Sequence, residues 1–165
     1  MARIIKDHQI VDDAWQQLAA EADLNQVPAT GAVMVPLSLW QTHRDALLER
    51  QDPVAVWLEA GEEPAPLADD LAQLPMIAIH FPVYRDGRGY SYARELRTRY
   101  GYQGEIRAIG DVLQDQLAYM WRCGFDAFAV REDKDIEEAL QGLKGFTVHY
   151  QGDARDPRPI YARGA

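Results

Sequence analysis

The stretch HFPVYRDGRGYSYARELR, residues 80–97, gathers the residue types that binding and catalysis need. It holds an imidazole (His80), a phenol (Tyr84), two arginines around a carboxylate (Arg85, Asp86, Arg88) and a hydroxyl (Ser91). Gly87 and Gly89 lie among them, just before a helical pattern. A glycine turn that feeds a helix presents free N–H groups and the positive end of the helix dipole. Forked guanidinium donors add a bidentate grip on oxyanions. The pattern marks a seat for phosphate, sulfate or a carboxylate, with Arg107 and Asp111 at later positions able to line it.

Each of these residues has a plainer role as well. Arg94, Arg97 and Arg99 can be solvated helix residues, and His80 a hydrogen-bonded core residue. Asp111 can cap a helix. Arg107 interrupts an apolar run, so if buried it needs an acid, with Asp86 and Asp111 as candidates. GRGYSY is not a dinucleotide fingerprint, because Tyr92 stands where the third glycine belongs, and no GxxxxGK[ST] loop occurs. No HxH, HExxH or GxSxG is present, so neither a dedicated zinc site nor a serine nucleophile elbow is expected. Asp86, Asp111 and Asp133 are strand-end carboxylates of the kind that hold Mg²⁺, but their spacing fixes no geometry, and no metal site is assigned.

The elements that must position these groups alternate. Apolar runs fall at Ala32–Val35, Val54–Leu58, Met76–Phe81, Ile106–Ile109 and Ala127–Val130, with a weaker one at Phe146–Tyr150. Near-continuous apolar runs are expected of strands buried on both faces. Helical patterns lie between them: 39–51 behind a Ser38/Gln41 capping box, Leu67–Leu74, Tyr90–Tyr100, 112–123 behind Asp111 and Gln114, and a stripe at Ile136, Ala139, Leu140 and Leu143. Strand–helix alternation implies right-handed crossovers. The expected fold is an α/β protein with a mostly parallel sheet of about six strands and helices on both faces; a partial, TIM-like half barrel is the alternative. Residues 1–150 form one domain, in which 1–30 is an N-terminal extension. It comprises a hairpin at 3–11 turning at Lys6–Gln9 and a short helix capped by Asp12 or Asp13. Residues 151–165, rich in Gly, Pro and Arg, read as an extended or disordered tail.

Composition bounds the rest. At 165 residues the chain is long enough to bury roughly 70% of its unfolded surface. Cys123 is the only cysteine, so an internal disulfide, a CxxC pair and a cysteine-ligated cluster are excluded within one chain. No haem, iron–sulfur cluster or structural zinc is expected. The N-terminus has no apolar signal core and no run approaches ~20 apolar residues, which makes a cytoplasmic location the default and a membrane partner unexpected. The net charge of −9 argues against nucleic acid as a partner. Residues 1–75 carry −9, residues 76–110 carry +3 and residues 111–165 carry −3. An anion would be drawn to the middle third, and the outer thirds suit a basic protein surface.

Three blocks carry a family resemblance: FPVYRDGRGYSYARELR (81–97), GEIRAIGDVLQDQLAYMWRCGFD (104–126) and RIIKDHQIVDDAW (3–15). Through them the chain resembles the bacterial family called domain of unknown function 934 over nearly its whole length. Members are labelled oxidoreductases, and their genes commonly lie beside those for assimilatory sulfite or nitrite reductase and sulfate activation. The resemblance implies a role in sulfate assimilation, with sulfite reductase as the expected protein partner, and supplies no catalytic residues to carry over. Two readings result. One is an accessory protein that binds a small anion or docks on the reductase. The other is an enzyme, an oxidoreductase or other α/β protein using a diffusible cofactor in the strand-end crevice. Homo-oligomerisation is compatible with both.

Overall fold

In the computed structural model, which describes residues 2–83 and 85–144, eight strands form one sheet. They are β1 (Arg3–Lys6), β2 (Gln9–Asp12), β3 (Gln16–Gln17), β4 (Val33–Pro36), β5 (Val54–Leu58), β6 (Met76–Phe81), β7 (Glu105–Gly110) and β8 (Ala127–Phe128). The sheet order is β2-β1-β8-β7-β6-β5-β4-β3. Strands β3 to β8 are parallel to their neighbours, while β1 pairs antiparallel with β8 and with β2. The α-helices are α1 (Leu37–Leu48), α2 (Arg88–Thr98), α3 (Leu117–Cys123) and α4 (Ile136–Lys144). A 3-10 helix, Ala65–Gln73, joins β5 to β6.

This strand order decides between the two expected architectures. Strands β3 to β8 run in sequence order without a reversal, so right-handed crossovers place every connection on the same side. An open sheet covered on both faces needs a reversal of order. The sheet therefore curls into a half barrel, with helices on its convex side. The packing agrees. Alternate residues Val33, Val35, Val56, Ile77, Ile79, Phe81 and Ile106 join α-helical Trp40, Leu96, Met120 and Leu143 in the main core. The opposite positions, Met34, Ala55, Trp57, Met76, Ala78 and Ile109, form a smaller cluster on the concave side with Trp15 and Ala129. Each fully buried Ile or Val contributes roughly 1.5–3 kcal/mol, so the convex core dominates stability.

The hairpin turns at Asp7 and His8, both with positive φ (51° and 64°), as a two-residue connection requires. It adds two strands to the sheet edge. The short helix expected after Asp13 is not formed. The Asp13 carboxylate accepts from the Trp15 amide and from Arg107, and the chain stays extended as β3 beside β4. The Ser38 box is also absent: α1 starts at Leu37 with no side-chain cap. Asp111 does not cap a helix over 112–123. Val112 is buried, Leu113 is extended, and α3 begins only at Leu117. The weak strand at 146–150 and the tail at 151–165 lie outside the described residues.

Gly89 serves packing. An added Cβ there would lie 2.6 Å from the Phe81 ring, so this glycine lets α2 close down on β6. Arg97 is structural too. It donates to the carbonyls of Tyr102, Gly104 and Gly124, tying α2 to the chain before β7 and after α3.

Candidate functional site

The C-terminal ends of the parallel strands form the rim of the half barrel, where α/β folds of this winding place their ligands. His80, next to last in β6, alternates onto the concave side with Met76 and Ala78. Its Nδ1 lies 2.5 Å from Oε1 of Glu59, the residue that follows β5. The same oxygen accepts from the Ala60 amide at 3.2 Å, while Glu62 closes the turn on the Glu59 amide. Trp57 meets the imidazole edge-on, with ring centroids 5.8 Å apart. The other side of the ring lies against Gly110, where a Cβ would come within 2.9 Å of Nε2 and 2.5 Å of the Phe81 carbonyl. Gly110 has φ +94°, so β7 ends in a conformation that favours glycine and leaves room for the imidazole. In a neutral ring, a carboxylate on Nδ1 favours the N–H there and leaves Nε2 as the acceptor.

The loop between β6 and α2 brings Asp86 and Arg88 together. Arg88 donates Nε to Asp86 Oδ1 (3.0 Å) and an NH2 nitrogen to Oδ2 (2.6 Å), and its amide also donates to Oδ1 (3.1 Å). These donors hold the Asp86 carboxyl down at about 2. The helix N-terminus and one arginine fork thus converge on a single carboxylate, in the geometry expected for an external oxyanion. Arg85 is exposed in the same loop, and Ser91 is exposed on the first turn of α2. Tyr84 lies outside the described residues. Arg88 also packs 3.1 Å from the position a Cβ would take on Gly61, which links this loop to the Glu59 turn.

Further along the rim, Arg131 bridges two acids. One NH nitrogen meets Asp111 at 2.7 Å, and Nε and the other NH nitrogen clamp Asp133 at 2.7 Å each. Asp133 is held at about 2 by that clamp. Both rim pairs remain ionised through the neutral range. A cavity of about 490 Å³ opens beside the Arg131–Asp133 pair, with Trp15, Met34, Ile109 and Ala129 as apolar lining and Asp13, Arg131 and Asp133 as polar lining.

Arg107 does not join the loop arginines. It is 2% exposed on the concave side and pairs with Asp13 (2.8 Å) and Glu105 (2.8 Å), not with Asp86 or Asp111. Glu105 also holds Lys6 at 2.9 Å. This cluster fastens the N-terminal segment across the barrel. Of the residues expected to line one site, His80, Asp86, Arg88 and Asp111 reach the strand-end rim, while Arg107 sits deeper, within the sheet. The sequence reading missed Glu59 and Arg131. Glu59 belongs to an acidic run that reads as solvated surface, and its only signal is its place directly after a strand. Arg131 has the same signal, directly after the fifth apolar run. Among the described residues no group of three or more His, Cys, Asp or Glu is arranged to hold a metal ion. No described helix is long and apolar enough to cross a membrane.

A family model described as bacterial protein of unknown function (DUF934) matches residues 55–161, which takes in the rim residues named above. No curated protein matches the chain, and no solved structure does.

Proposed function

We propose that this chain, which belongs to the DUF934 family of bacterial proteins, is an accessory protein of assimilatory sulfate and sulfite reduction, binding a small sulfur oxyanion or docking on the reductase. The observation that carries the anion reading is the Asp86–Arg88 seat. A carboxylate of the chain occupies a set of donors, one backbone N–H and a guanidinium fork, that suits a tetrahedral oxyanion equally well. Exposed ion pairs contribute little to stability, so exchange of Asp86 for a doubly charged ligand is within reach of ordinary binding energies. The sulfur assignment draws on the family resemblance and its gene neighbourhood. The reading places no resident redox centre in the chain.

A second reading, an enzyme working with a diffusible cofactor such as a flavin or nicotinamide, is favoured by one specific feature. The carboxylate-oriented His80 at the rim has the geometry of a proton acceptor.

Deletion of the gene tests the main reading. Growth should fail or slow on sulfate and sulfite and be normal on cysteine. Complementation by an Arg85→Ala, Arg88→Ala double variant separates anion binding, which it should not restore, from docking, which it should. Normal growth of the deletion strain on every sulfur source removes the sulfur reading. A flavin or nicotinamide copurifying in stoichiometric amount favours the enzyme.

A further inference from the structure

Helices α2 and α3 are the cationic part of an acidic molecule. They carry Arg88, Arg94, Arg97 and Arg122, with Arg99 directly after α2, against a single acid, Glu95, in a chain of net charge −9. Arg97 is turned inward to the carbonyl clamp, and Arg99 lies against Glu95 at 3.4 Å. Arg94 is exposed on α2, and Arg122 lies beside an aromatic row. The Phe81 and Tyr90 rings are 5.3 Å apart, and Tyr90 meets Tyr119 edge-on at 4.9 Å. The Arg122 guanidinium lies 5.5 Å from the centre of the Tyr119 ring. Cys123, buried between the two helices, has both Tyr119 and Arg94 near enough to bear on its thiol.

Two further observations show that this face is unfinished. Tyr119 is 46% exposed, and among the described large hydrophobic residues only Val83 is more exposed. Arg122 Nε is buried with no hydrogen-bond partner among the described residues. Tyrosine and arginine are the residues that most often dominate protein interfaces. An arginine stacked on a ring is already ordered, so less entropy is lost when it meets a carboxylate.

We propose that the α2–α3 face, built on Tyr90, Arg94, Tyr119 and Arg122, docks an acidic segment of another protein, whose carboxylates meet the arginines and whose apolar side chain covers Tyr119. This deepens the docking arm of the proposed function. A polyanionic nucleic acid fits less well. The chain's net charge opposes it, and the two tyrosines are packed against each other rather than splayed for base stacking.

The test uses the full chain and a labelled glutamate-rich peptide bearing one phenylalanine, followed by fluorescence anisotropy. Binding should weaken roughly tenfold or more in an Arg94→Glu, Arg122→Glu variant. That variant should instead gain affinity for the lysine-rich counterpart peptide, a result that a misfolded protein cannot give. Tyr119→Ser, at an exposed position, should weaken binding with an unchanged melting temperature. The proposal falls if the wild type ignores the acidic peptide, or if the charge-reversed variant binds it equally well. It also falls if single-stranded DNA binds this face more tightly, or if sedimentation shows that the same variants abolish self-association instead. The outcome is independent of the growth test. Loss of peptide binding with an intact sulfur phenotype removes only this face, and the converse removes only the sulfur reading.

Discussion

Glu59 and His80 come from the ends of neighbouring strands and meet at the rim with 2.5 Å between Oε1 and Nδ1. The Glu59 carboxylate is held in turn by the Ala60 amide, so the imidazole is oriented from below by a group that cannot easily swing away. The expected consequence is a single tautomer, protonated on Nδ1. Nitrogen-15 NMR should show it in the wild type, and Glu59→Leu should give a mixture or the Nε2–H form. An unchanged tautomer in the variant would mean that Glu59 does not orient the ring.

The Asp86–Arg88 pair predicts a gain-of-binding variant. Asp86→Asn removes the internal competitor and should tighten sulfate binding several-fold, on the order of tenfold, as seen by calorimetry. Arg88→Ala should abolish that binding. The sign with pH is set by the lowered carboxyl. Because Asp86 is held at about 2, its contribution to stability is present above the ordinary carboxylate range and is lost only as pH falls toward about 2. Competition by Asp86 should therefore be constant between pH 8 and pH 5, and wild-type sulfate affinity flat over that window.

Asp13→Ala should be among the most destabilising substitutions at the concave side. It strips one of two partners from Arg107, which is 2% exposed. Removing one member of a buried pair costs about 3 kcal/mol. Urea denaturation should show a lower midpoint with an unchanged slope, and a loss below about 0.5 kcal/mol would mean that water reaches Arg107.

Gly110→Ala tests the crowding at the rim. A methyl group there would lie 2.5 Å from the Phe81 carbonyl and 2.8 Å from the His80 ring, at a φ of +94°. The variant should lose roughly 1–3 kcal/mol and shift the His80 NMR signals. A wild-type spectrum from this variant would show that the ring is free to move aside.

Cys123 should be inert. Burial pushes its thiol up, away from the thiolate that reacts. A disulfide reagent at pH 8 should label it only at the rate of unfolding, and fast stoichiometric labelling of native protein would overturn this.

The strands were legible because Val54–Leu58 and Met76–Phe81 are apolar at every position or nearly so, and burial on both faces leaves that mark. Their winding was not, since the same runs serve a sheet covered by helices on two sides or a half barrel floored by Trp57 and Met34. The loop arginines and His80 were legible from residue type and from their place after a strand. Their partners were not. Glu59 precedes His80 by 21 positions and Asp13 precedes Arg107 by 94. A carboxylate's role is set by what the fold brings near it, so Asp13 and Asp111, both read as helix caps, became ion-pair partners instead.

The antiparallel seam between β1 and β8 joins Ile5 to Phe128, while the six parallel strands each lie beside the one made just before or after. On a ribosome, the parallel strands can therefore be laid down one after another as they emerge. Strand β1, made well before β8, must wait for it before that edge is covered. Until then that edge, with Ile4 and Ile5, is open to pairing with other chains, an exposure that the finished sheet removes.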